Sequence, residues 1–189
     1  LWSSPIVFRR ASKSHTLCSD AKAFNTEAKR RVGLSQDGDT PEAGDLIKVL
    51  GKDENGKTDD LQHILVKLDE TFEQIAGESD DSFKAMLLAP LPDDENAEAD
   101  TSSEKNNSST VLQICIAAEG NDDACRFLTG GDAGVSVWER LWANHQDVPE
   151  NLEYDVLQAP HHCSWHSLSW DSWSNKKTQR TKCHSSKKD

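Results

Sequence analysis

FLTGGDAGVSVWERLWANH (residues 127–145) and YDVLQAPHHCSWHS (residues 154–167) decide how this chain reads. Each segment opens as an apolar strand and ends abruptly in chemistry-bearing residues. In the first, Gly130 and Gly131 let the backbone turn tightly because neither carries a β-carbon. Asp132 then sits on a loop just before a helix over 133–145, whose Val137, Trp138, Leu141 and Trp142 share one face. An Asp in that place is also a common helix N-cap. In the second, a strand over 154–159 runs into Pro160, His161 and His162, followed by Ser164, His166 and Ser167. Adjacent histidines are costly in a core, because each ring nitrogen needs a partner. They are useful where one binds a metal and the next meets a substrate. HH alone reads as a polar loop. In the order strand, Asp, helix, strand, HHxSxHS it reads as a metal site. Neighbouring strands that end in such loops place their ligands at one sheet edge. A carboxylate there can bridge two metals and an imidazole can complete one of them. Such a metal pair, about 3.5–4 Å apart, activates a water for displacement at phosphorus or carbonyl carbon.

Working outward, strand signals lie at 109–117 and 125–129, and a buried strand at 84–91 stops at Pro90 and Pro92. Residues 93–107 form an acidic loop. Apolar residues at 61, 64, 65, 68, 72 and 75 predict a helix over 61–76, and 51–60 is a polar turn region. Residues 45–50 predict a strand. Residues 20–31 predict a helix with Asp20 as its cap, Arg30 and Arg31 at its end and Gly33 just past it. Residues 1–8 predict an edge strand. The tail, 175–189, is basic and without periodicity, which reads as a disordered end. The fold class is α/β (α+β), with one domain over 1–174.

The net charge of −12 excludes a general nucleic-acid-binding face but not a nuclease, because a bound divalent metal supplies local positive charge. Five cysteines, Cys18, Cys115, Cys125, Cys163 and Cys183, are scattered without a CxxC pair. They argue against a disulfide framework, a disulfide-linked partner or a zinc ribbon, and for a reducing, cytoplasmic setting. No apolar run is long enough to span a membrane, and no signal peptide is visible. The chain opens at Leu1 on a strand-like run, which leads us to expect a fragment or processed chain of something longer.

The same residues carry a family resemblance, clearest over 84–169. Asn106-Asn107-Ser108-Ser109 leads a strand, Thr129-Gly131-Asp132 ends the next, and His161-His162 with Ser164 ends a third. This order resembles the C-terminal half of metallo-β-lactamase-fold hydrolases, in the branch that includes the hydrolase domain of the DNA-uptake protein ComEC and bacterial phosphorylcholine esterases. The resemblance implies the C-terminal part of a four-layer αββα sandwich. It implies Asp132 as the bridging metal ligand and His161 as a ligand to the second metal. It implies His162 facing the scissile group as the catalytic residue, with Ser164 and His166 orienting the others. The implied cofactor is Zn2+ or Mn2+ and the implied substrate is a phosphodiester or nucleic acid. Two features depart from the pattern. Cys163 replaces a glycine, for which a small buried role is expected. The HxHxDH motif that supplies the first metal and the general base is absent; His15 and His63 are single histidines, on the surface and on a helix face respectively. We therefore expect a metal-dependent phosphodiesterase or nuclease represented by a fragment, with two metals only in the intact protein. The alternatives are an inactive truncated remnant and an acidic interaction module. Trp138 and Trp142 are expected in the core, and Trp165, Trp170 and Trp173 around the histidine loop.

Overall fold

In the computed structural model the described residues are 1–5, 17–36, 41–52, 56–92, 108–167 and 169. The acidic loop 93–107, His15, Asn106, Asn107, Trp170, Trp173, Cys183 and the tail 175–189 lie outside them, as does the side chain of His166. Mixed α and β structure is observed. Three short strands, β1 (Trp2–Ser3), β2 (Lys48–Leu50) and β3 (Leu65–Val66), form an all-parallel sheet. A five-stranded sheet has the order β10-β9-β8-β7-β4, from β4 (Thr71–Phe72), β7 (Phe83–Ala89), β8 (Val111–Ala118), β9 (Asn121–Leu128) and β10 (Val156–Leu157). A small hairpin joins β5 (Gln74–Ile75) to β6 (Glu78–Ser79). Its two turn residues, Ala76 and Gly77, both have positive φ, as a tight hairpin turn requires.

Three core clusters separate successive layers. The helix α1 (Ser19–Gln36) lays Ala28 and Val32 on Val49 and Leu65 of the parallel sheet. The opposite face of that sheet, with Leu50, Val66 and Trp2, packs on Phe72, Phe83, Ala85, Leu87 and Leu112 of the larger sheet. There Trp2 stands edge-on to Phe72, with ring centroids 5.2 Å apart. The far face of the larger sheet, with Leu88, Ala89, Val111 and Leu128, receives Val137 and Leu141 of the helix α2 (Val135–His145). Alternation explains how one strand serves two clusters: Phe83, Ala85 and Leu87 of β7 face one layer, while Met86 and Leu88 face the other.

Several expectations need correction. Residues 61–76 are not a helix. They run through a 3-10 turn (Asp59–Leu61), then β3, β4 and β5. The helical spacing arose because its apolar residues go to different layers. Leu61 and Leu65 pack under α1, Leu68 against the α2 cluster and Phe72 between the sheets, while Ile75 is exposed. Positive φ at Asp69 also breaks any continuous helix. His63, expected on that helix, lies exposed in a turn, with Nε2 3.0 Å from the Ser35 carbonyl oxygen. Helix α1 runs through Gly33 to Gln36, and Asp20 lies in its first turn. Trp142 is 56 % exposed and is not a core residue, because Val137, Leu141 and His145 take the buried stripe of α2.

Candidate functional site

Strands β9 and β10 are parallel neighbours, with Val156 paired to Phe127 and Leu157 to Leu128. Both therefore leave the sheet at the same end, and α2 is the crossover between them. The loop after β9 and the loop after β10 emerge side by side.

The two loops are pinned to each other through backbone. The His161 N–H donates to the Gly131 carbonyl at 2.8 Å. A β-carbon on Gly130 would lie 2.7 Å from the Gln158 carbonyl oxygen and 2.8 Å from the Pro160 ring, so only glycine admits this approach. Gly131 has φ +48°, and a β-carbon there would sit 3.0 Å from the Thr110 carbonyl oxygen. The paired glycines thus do different jobs: one allows contact and the other allows the turn. On the other side, Thr129 exchanges two hydrogen bonds with the backbone of Leu112: its N–H donates to the Leu112 carbonyl and its Oγ1 accepts the Leu112 N–H. The Asp132 N–H donates to Ser109 Oγ at 3.1 Å. Ser109, from the NNSS element, therefore holds the backbone of the very residue the sequence singles out.

The N-cap of α2 is Gly134, not Asp132, and no side chain caps the helix. The Asp132 carboxylate is consequently not consumed by the cap role that its position suggested. It is about half-exposed, and its Oδ1 lies 4.0 Å from Nε2 of His162, whose side chain is 90 % exposed. That separation is too long for a direct hydrogen bond. It is somewhat longer than the roughly 3.3 Å between two ligands of one tetrahedral zinc, given metal–ligand bonds of about 2.0–2.1 Å. His161 is half-buried, with its ring centroid 6.3 Å from that of His162. Of the two histidines, the one assigned to meet the substrate is the one that stands across from Asp132.

His161, His162 and Cys163 all have positive φ, at 47°, 52° and 60°. Three successive left-handed residues carry side chains where glycine is the unstrained choice, at a cost of about 1 kcal/mol or more each. Cys163, the residue that departs from the family's glycine, thus occupies a glycine-favouring conformation. It is exposed, which corrects the expected buried role. The loop is tied down by Ser167, which the sequence motif includes but to which sequence reading gave no role. Its buried hydroxyl lies 2.6 Å from the Ser164 carbonyl oxygen and 3.2 Å from that of Pro160. The Ser164 N–H in turn donates to the His161 carbonyl at 2.8 Å. The Ser-x-x-Ser spacing of 164 and 167 was the available signal. His166 lies in the turn Trp165–Ser167.

A catalytic zinc takes three protein ligands. Among the described residues no group of three or more His, Cys, Asp or Glu side chains is placed to hold a metal ion. Asp132 and His162 alone do not make a complete metal site. The four described cysteines are free. Cys115 is not a thiolate candidate, because burial, aided by the nearby Asp123 charge, pushes its thiol up. Among the described residues no helix is long and apolar enough to cross a membrane. No family profile matches the chain, and no curated protein or solved structure is significantly similar to it.

Proposed function

We propose that this chain carries the Asp–His half of the site of a metal-dependent phosphodiesterase or nuclease of metallo-β-lactamase type, as the motif resemblance suggested. The observation that carries the reading is the facing of Asp132 and His162 on loops that leave adjacent parallel strands at one sheet end. The layer order α1, small sheet, large sheet, α2 supports it, since an αββα arrangement is what the resemblance implies.

In this reading the remaining donors come from outside the described residues. The implied Zn2+ or Mn2+ supplies an activated water and offsets phosphate charge. The residues in hand do the following. Asp132, fixed through its backbone by Ser109, presents a carboxylate to the shared space. His162, exposed on a strained loop, is placed to hydrogen-bond a phosphoryl oxygen or to protonate a leaving oxygen. His161 is held close by its backbone bond to Gly131. A reducing cytoplasmic setting accords with the free thiols.

Zinc should raise the thermal midpoint of the chain modestly, by an amount that grows with concentration, and Asp132→Ala should remove the effect. The chain alone should not hydrolyse bis(p-nitrophenyl) phosphate. No zinc response, or the same response in the variant, overturns the half-site reading in favour of an acidic module. Tight uptake of two metals with turnover overturns it in favour of a complete enzyme.

A further inference from the structure

Gln113 stands inside β8, between Leu112 and Ile114, and is buried. An amide in such a place costs free energy unless its polar atoms are paired. Its Nε2 donates to the Glu150 carbonyl at 2.8 Å and to the Glu153 carbonyl at 2.9 Å. Both N–H bonds of one amide group are therefore spent on a single segment. That segment, the 3-10 turn Pro149–Leu152 with Glu153 after it, returns the chain from α2 to β10.

Strand β10 has little of its own to fix its place. It pairs with β9 over two residues, Val156 and Leu157, which are 51 % and 40 % exposed. Strand register is strongly specified where one face is buried and weakly where it is not. A slip by two residues would keep the faces of β10 and carry the histidine loop about 6.6 Å along the sheet, at about 3.3 Å per residue. The separation of Asp132 and His162 is 4.0 Å, so such a slip would part them. The bond from the His161 N–H to the Gly131 carbonyl opposes it downstream of β10. Gln113 opposes it upstream. It pairs across the sheet with Leu128, the residue that also pairs with Leu157, so its amide sets the returning segment against the same rung of the sheet. Its neighbour Leu112 holds Thr129 at the root of the Asp132 loop. One strand thus references both site loops. We infer that Gln113 is a positioning residue that sets the register of β10 and thereby holds His162 across from Asp132. The consequence for the site rests on the half-site reading; the register role does not.

Amide hydrogen exchange, followed by NMR on the full chain, tests the inference. The Asp155 and Gln158 N–H groups donate to the Arg126 and Leu128 carbonyls and report the β9–β10 register. The Thr129 N–H donates to the Leu112 carbonyl and reports the β8–β9 frame. In Gln113→Met, similar in length but without a donor, protection at Asp155 and Gln158 should fall about tenfold or more while that of Thr129 stays at the parent value. Gln113→Glu, which keeps the shape but whose carboxylate only accepts, should do the same. Glu150 and Glu153 are exposed, so water can take up their carbonyls and both variants should fold. The zinc concentration that half-saturates the rise in thermal midpoint should increase about tenfold or more in Gln113→Met. An equal fall at all three amides would make Gln113 a merely structural residue and overturns the inference. Unchanged protection overturns it as well, because the His161–Gly131 bond would then hold the register alone. Selective loss with an unaltered zinc response detaches His162 from the register and overturns the positioning role. Selective loss in a chain whose parent shows no zinc response supports the register role and sinks the half-site.

Discussion

The described residues include two strand–helix–strand units with parallel outer strands, and they are built differently. In β1–α1–β2 the helix has 18 residues yet buries only Ala28 and Val32. In β9–α2–β10 the helix has 11 residues and buries Val137, Leu141 and His145. The long helix is dressed with surface charge: Glu27 bonds Arg30 at 2.8 Å and Arg31 at 2.7 Å, and Arg30 reaches Asp45. Exposed pairs of this kind add little stability. The short helix relies on burial, and His145 adds polar ties at its end, with Nδ1 3.2 Å from the Asn151 amide and Nε2 3.4 Å from Asp69. Helix length is therefore a poor guide to anchorage; the buried stripe is the better one. The well-anchored unit is also the one whose loops carry left-handed histidines, a strain that only a firmly packed frame can hold.

The largest effect that separates the units should come from Leu141→Ala. Leu141 is fully buried against the large sheet. Its truncation should cost about 2–5 kcal/mol in denaturant unfolding. Trp142→Ala, one residue along, should stay within about 0.5 kcal/mol, because that ring faces solvent. Equal costs would mean that α2 does not present the stripe described.

Glycine substitutions should change stability with opposite sign in the two units. Gly33 lies inside α1 with open space around the position of a β-carbon. Gly33→Ala should stabilise by about 0.5–1 kcal/mol through the unfolded chain. Gly130→Ala must push against the Gln158 backbone and Pro160, and should destabilise by about 1–3 kcal/mol. A midpoint raised in the first and lowered in the second would confirm the contrast. A neutral Gly130→Ala would mean that the two site loops are not in contact.

The same contrast governs what could be read from sequence. The strands expected over 84–91 and 109–117 and the helix expected over 133–145 were legible as elements, observed as Phe83–Ala89, Val111–Ala118 and Val135–His145, because each holds a dense set of apolar residues within one element. The stretch 61–76 was misread because its apolar residues serve three separate clusters, and their spacing imitates a helix by coincidence. At the site, the glycine pair and Asp132 were legible as a turn and a presented acid. The bracing role of Ser167 had only its Ser-x-x-Ser spacing from Ser164 as a signal, because a serine that binds backbone carbonyls leaves no apolar period. Nor was it legible that three non-glycine residues would turn left-handed together, since His-His-Cys contains no residue that asks for it.

The smallest effect concerns pH and belongs to α1 alone. Hydrogen bonds from Arg30, and then from Arg31, hold the Glu27 carboxyl well down, from the ordinary 4.5 to about 2. A depressed carboxyl contributes stability that is fully present above its unfolded value and is lost as pH falls through its folded value. The contribution of Glu27 should therefore be intact above about pH 4.5 and fade between there and about pH 2. The side chains are exposed, so salt should shrink it further. Thermal midpoints of the parent and Glu27→Gln, followed from neutral pH into acid, should converge across that window and differ less in high salt. If instead the gap survives to pH 2, the long helix is not held by its charges. The distinction between an ion-dressed unit and a packed unit would then fail on the α1 side, whatever Leu141 shows on the other.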